Sequence, residues 1–257
     1  MRCALGAVTL TLIAKSKKVS LPRERVVWGH LLVVAMLINV IPGILFAVAE
    51  THCTSILAGI INGMVPLTSL FFITLVFRDE EITRAKATGL VTGLLGVLCV
   101  FGVWEGLGSN PWWAVAALLF SVTLYGISYP YSRRHLTPRG IAPASLATAQ
   151  LLLASAVLLP TFIVLGPKGN APTLKAALAI SCLGIFGSGF AFMWNFQVIG
   201  AAGSAIASTM TYITPVVAVF MGVIFLHEPL RWFEPLGGLL VLLGAAIGQG
   251  RIRLGRR

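Results

Sequence analysis

Asn39, Asn62 and Asn195 stand inside long apolar runs, where an amide has to find hydrogen-bond partners that hydrocarbon cannot supply. With Tyr125, Ser188, Trp194, Thr211 and Tyr212 they form the set of residues whose types could bind a solute. What they offer is recognition by hydrogen bonds and ring faces, not bond making. All eight carboxylates (Glu24, Glu50, Asp79, Glu80, Glu81, Glu105, Glu228 and Glu234) fall at the ends of apolar runs or between them. A carrier coupled to protons or sodium commonly keeps an ionisable group at mid-membrane, where it is costly unless it functions. Its absence points to a neutral, zwitterionic or amphipathic solute and leaves facilitated exchange and proton coupling both open. Ser188 in Gly187-Ser188-Gly189 superficially suggests a nucleophile, but His30, His52, His135 and His227 all lie at run margins, so an enzyme is not expected. Cys3, Cys53, Cys99 and Cys182 form no CxxC and read as small buried hydrophobes; no metal site and no cofactor are expected.

The spacing of these groups is helical. Ser55, Ala58, Asn62, Pro66 and Ser69 share a face, as do Ser181, Gly184, Ser188 and Asn195, and Ser121, Tyr125 and Ser128. Two readings compete for each stripe. Small residues let membrane helices approach, and Ser or Asn bonds across the contact; alternatively the stripe lines a hydrated cavity. The Ser and Ala members favour packing, while the Asn and aromatic members stand evenly between the two. Pro66 and Pro215 each remove a backbone donor and free a carbonyl one turn earlier, which makes either a plain kink or a hinge beside a polar site. The pairs Gly89-xxx-Gly93 and Gly244-xxx-Gly248 both read as close helix contacts, either within one subunit, the favoured reading, or between the two subunits of a homodimer.

These residues must be positioned by membrane helices. The chain has 257 residues, 57% apolar and 11% charged, too few charges to cover a water-facing surface. Apolar runs cover 1–14, 28–49, 54–77, 87–104, 111–130, 144–166, 174–197, 203–226 and 233–250, most of them long enough to cross about 30 Å of hydrocarbon. The expected fold is an all-α integral membrane protein of about nine transmembrane helices. The first run resembles a signal peptide in length, but Lys15-Ser16-Lys17-Lys18 follows it as a stop-transfer flank.

A net charge of +11 would suggest nucleic acid in a soluble protein, yet the basic residues lie in short, separate segments without interleaved aromatic platforms, so no nucleic-acid partner is expected. The partners expected are a small-molecule substrate and the lipid bilayer. Of the 19 Lys and Arg, fifteen fall on one side of the runs, within 15–25, 78–86, 133–139 and 251–257. Only Arg2, Lys168, Lys175 and Arg231 fall on the other. The positive-inside rule makes the fifteen-residue side cytoplasmic, with the C-terminus. The expected location is the cell (inner) membrane, as a multi-pass chain.

The chain also matches itself weakly at a shift of 149 residues: Ser55, Ala58, Pro66, Gly89 and Leu90 meet Ser204, Ala207, Pro215, Gly238 and Leu239. Asn39 corresponds to Ser188, and Asp79 to Glu228. A unit of five spans is odd, so its second copy enters the membrane from the opposite side, an arrangement transporters use to exchange inward and outward openings. The stretches 55–97 and 204–248, with their small residues, mid-helix prolines, the His227-Glu228-Pro229 turn and a Gly-rich last helix, resemble the EamA-like permeases of the drug/metabolite transporter superfamily. At 78–81, RDEE stands where the family has a shorter acidic loop.

That resemblance implies two inverted five-helix repeats and a permease or exporter of amino acids, metabolites or drug-like compounds. Its two halves would rock around a central cavity. Here 1–104 would be the first repeat, truncated to four helices with the family's first helix missing, 111–250 the second, and 251–257 a basic cytoplasmic tail. MRCALGAVTLTLIA resembles the family's second helix. The wall carrying Ser121 and Tyr125 therefore lacks its pseudo-two-fold partner, and the expectation is an open side toward lipid or a second subunit, with the reading frame starting upstream. An inactive permease fragment or a non-transporting membrane scaffold is the competing reading.

Overall fold

The computed structural model describes residues 1–78, 83–100, 111–166, 173–227, 230–248 and 250. Among them the chain forms nine helical spans: α1 (Arg2–Ser16), α2 (Arg25–Ala49), α3 (Ser55–Val76), α4 (Arg84–Val100), α5 (Trp112–His135), α6 (Pro143–Leu165), α7 (174–202), α8 (Ser204–Phe225) and α9 (Phe233–Gly248). Six of them, α2, α3 and α5 to α8, are long and apolar enough to cross a membrane, and α4 and α9 are shorter apolar helices. The all-α membrane fold expected from the apolar runs is the one present. Of the sequence motifs, Asp79 to Glu81, Glu105, Lys168, Glu228-Pro229 and the 251–257 tail lie outside the described residues.

The starts of α2, α3 and α4 at Arg25, Ser55 and Arg84 recur 149 residues later at Leu174, Ser204 and Phe233, the starts of α7, α8 and α9. The weak self-match in sequence is therefore an element-by-element match in structure. It extends to an irregularity. Helix α2 loosens to a π-helical stretch at Met36–Val40, and α7 does so at Leu183–Phe190, which includes the equivalent residues. A third π stretch, Phe72–Val76, ends α3.

Contacts divide the chain into two compact units, and each draws helices from both copies of the repeat. The first unit is Met1–Val40 with Tyr131–Gly203. Its core packs Leu10, Leu31, Val34, Ala147 and Leu151. Gly6 of α1 lies against α7, where an added Cβ would meet the Gly184 carbonyl oxygen at 3.0 Å and the Gly189 nitrogen at 3.1 Å. Arg133 closes the end of α7, its guanidinium donating to the Ile199 and Gly200 carbonyls at 2.9 Å each.

The second unit is Ile41–Pro130 with Ser204–Arg257. Leu67, Val97, Val241 and Ala245 form a core cluster within it. Here the two Gly-xxx-Gly pairs meet each other: α4 and α9 pack backbone to backbone, with Gly89 against Gly244 and Gly248, and Gly93 against Gly244. Gly89 and Gly244 must be glycine for this contact, since a Cβ at either would collide with the partner backbone, and a Cβ at Gly93 would run into the Leu67 side chain. Helices α3 and α8 cross through Gly59 on Ala218 and Gly63 on Pro215.

One cysteine departs from expectation. Cys3 and Cys53 are buried and Cys99 is half-buried, but Cys182 is exposed. It lies on α7, of whose membrane-length window only 17% is buried, so Cys182 sits outside the protein core.

Candidate functional site

In the first unit the π-helical stretch of α2 turns Asn39 inward, where it is 1% exposed. Its Oδ1 accepts a hydrogen bond from Nε2 of Gln150 on α6 at 2.5 Å. Gln150 is fully buried, and sequence reasoning missed it. The available signal was that it is the lone amide in the apolar helix α6, but it had no polar counterpart in the other repeat and belonged to no stripe. After the two amides bond, Asn39 Nδ2 and Gln150 Oε1 remain buried without a partner.

Ser188, the repeat equivalent of Asn39, is also fully buried on a π-helical stretch, and its hydroxyl has no partner. No base activates it, as a nucleophilic serine would need. The first unit thus holds several buried, unsatisfied polar atoms, on Asn39, Ser132, Gln150 and Ser188, of which Asn39 and Ser188 are repeat-equivalent; native interiors ordinarily satisfy such atoms. Asn195 is half-buried on α7 and hydrogen-bonded or otherwise engaged. Trp194 is 53% exposed and continues an aromatic ladder with Phe186 and Phe190, so the structure places it apart from the buried amides.

The second unit holds the other sequence-derived candidates. Asn62 ends the first segment of α3, half-buried, with Oδ1 unpartnered. The helix then breaks at Gly63 and Met64 and restarts at Val65, so Pro66 occupies the first turn of the new segment, where a missing N–H costs nothing. Pro215 stands likewise, just after the 3-10 stretch Thr209–Tyr212 in α8. Thr211 donates to the Ser208 carbonyl at 2.8 Å, which satisfies it locally. The side chain of Tyr212 lies outside the described residues.

Tyr125 on α5 is half-buried and stacks on Phe46 with centroids 6.1 Å apart. Its stripe neighbours Ser121 and Ser128 return their hydroxyls to the Ala117 and Tyr125 carbonyls, a packing role. Helix α5 is held to α3 by Thr68, which donates to the Val122 carbonyl at 3.1 Å and sits against Gly126.

Apolar helices long enough to span a membrane, in two sets matched at a shift of 149 residues and carrying buried amides and hydroxyls, are the build of a multi-pass membrane transporter. The EamA-like transporter family matches residues 1–102 and 112–247, and the chain belongs to it. The inner membrane transporter YedA of Escherichia coli strain K12, itself uncharacterized, is 27% identical over 90% of this chain and 74% of its own length. The uncharacterized transporter YoaV of Bacillus subtilis strain 168 is 25% identical over 95% and 83%. A solved crystal structure aligns with a TM-score of 0.72 at 19% identity, covering 98% of this chain and 87% of that one, and so has the same fold.

Proposed function

We propose that the protein is a permease or exporter that moves a small neutral or zwitterionic metabolite, amino acid or drug-like solute by alternating access. The observation that carries the reading is the pair of repeat-equivalent, fully buried polar residues Asn39 and Ser188, each with an unpartnered atom on a π-helical stretch. π-Helical stretches gather at functional places because they loosen a helix and re-aim its side chains. Asn62, Tyr125, Trp194, Asn195, Thr211 and Tyr212 are further candidates for solute contact. Pro66 and Pro215, each beside a helix interruption, are the proposed hinges. The repeats 1–104 and 111–250 are read as inverted, the membrane as the cell (inner) membrane, and the C-terminus as cytoplasmic, on the fifteen-to-four distribution of basic residues.

Uptake of a panel of radiolabelled metabolites into proteoliposomes tests the activity. At least one solute is expected to enter faster than into protein-free vesicles, and Asn62→Leu, Asn195→Leu and Tyr125→Ala to slow it while inserting normally. A panel with no accelerated solute would favour the scaffold reading. Orientation is tested separately: reporters near Arg134 and at the C-terminus should read as cytoplasmic and one near Gly169 as external, and a cytoplasmic signal at 169 would overturn the inverted repeat.

A further inference from the structure

The bond between Gln150 and Asn39 has a consequence independent of which of the two amides donates. Each amide carries one acceptor oxygen and one donor nitrogen. If Gln150 Nε2 donates to Asn39 Oδ1, as here at 2.5 Å, the atoms left over are a donor, Asn39 Nδ2, and an acceptor, Gln150 Oε1. If both amides are reversed, the leftover atoms are again one donor and one acceptor. Both residues are at least 99% buried, on two helices where apolar side chains would pack without leaving any polar atom unsatisfied.

The surroundings restrict what can complete the pair. Helix α6 carries no ionisable residue and α2 only Arg25 and His30, both near its start; α1 and α7, which also pack on α6, carry their basic residues, Arg2, Lys15 and Lys175, at their ends. His30 is nine residues before Asn39, about 13 Å along the helix. A carboxylate has acceptors only and would leave the Gln150 oxygen facing negative charge; an ammonium has donors only and would leave the Asn39 N–H unmatched. The complement is a neutral edge with an N–H and a C=O side by side, as in a primary carboxamide, a lactam, a urea or a nucleobase.

We propose that Asn39 and Gln150 act together as one recognition unit for a neutral solute bearing such an amide-type edge; this rests on, and narrows, the permease reading above. The pair is closed off in this structure, and the solute reaches it through rearrangement of the π-helical stretch Met36–Val40, whose looser hydrogen bonding makes it the part of α2 that yields.

Equilibrium binding of radiolabelled nicotinamide and uracil, with nicotinate as the charged analogue of the same size, tests this on the purified full chain in nanodiscs. Both amide probes are expected to bind more tightly than nicotinate. Gln150→Met should weaken them about tenfold or more. That variant strands the Asn39 amide and can lose stability for that reason alone, so the double variant Asn39→Leu/Gln150→Met is the control: removing both amides together restores the melting temperature but not binding. Equal binding of nicotinate, no binding of either amide probe, or wild-type binding by the double variant would overturn the proposal. Because binding is read without transport, a chain that binds the amide probes but moves nothing into vesicles would refute the permease reading and leave the recognition unit standing.

Discussion

Ser188 separates a functional role from a structural one with unusual economy, because its hydroxyl contributes no hydrogen bond that the fold would lose. Ser188→Ala is expected to change stability by less than about 1 kcal/mol, in either direction, while slowing transport, measured as a melting curve and an uptake rate on the same preparation. A large loss of stability would mean the hydroxyl has a structural partner. Cys53, between α2 and α3, gives a second test: burial pushes its thiol above the usual range, so the reactive thiolate appears only at higher pH than for a free cysteine. In a variant with Cys3, Cys99 and Cys182 replaced by Ala, maleimide labelling should be slow near neutrality and rise at more alkaline pH; fast labelling at pH 7 would contradict it. At this scale the sequence was partly legible. Asn39 and Ser188 were visible because an amide and a repeat register drew attention to them. Gln150 was not, because its importance lies in a partner 111 residues away.

Helices were the most legible level. Each apolar run holds a helix, with described ends within about five residues of those expected, since length and hydropathy largely specify a membrane helix. Their interruptions were not legible. The π-helical stretches depend on how a helix packs, and only Pro66 and Pro215 hinted at the breaks in α3 and α8. The packing of α4 on α9 through facing glycines makes a direct prediction: Gly89→Val or Gly244→Val should destabilise the protein by about 1–3 kcal/mol or more, because backbone fills the space the side chain needs. Gly29→Ala, where nothing lies within 4 Å of the added methyl, should instead be neutral or stabilise by about 0.5–1 kcal/mol. Thermal unfolding of the three variants compares them; equal effects would show that the glycine contact is not made.

At the scale of the molecule, the two copies of the repeat match in helix register but not in burial. In α3, 72% of the membrane-length window is buried, against 18% in its equivalent α8. The difference has a local cause: α3 packs against α4, α8 and α9 and is tied to α5 through Thr68 and Gly126, whereas α8 packs chiefly on α3 and leaves Ile213, Val216 and Phe220 exposed. A lipid-soluble carbene probe should therefore label α8 well above α3, and equal labelling would contradict this packing. The mixing of helices from both repeats within each compact unit was invisible in the sequence, which orders helices along the chain and is silent on which of them pack together. Whether these matched sets make a carrier is tested most directly by counterflow. Proteoliposomes preloaded with the unlabelled solute should accumulate labelled solute transiently above equilibrium, and the Asn39→Leu/Gln150→Met variant should not. Uptake that rises linearly with concentration and ignores the solute inside would contradict alternating access.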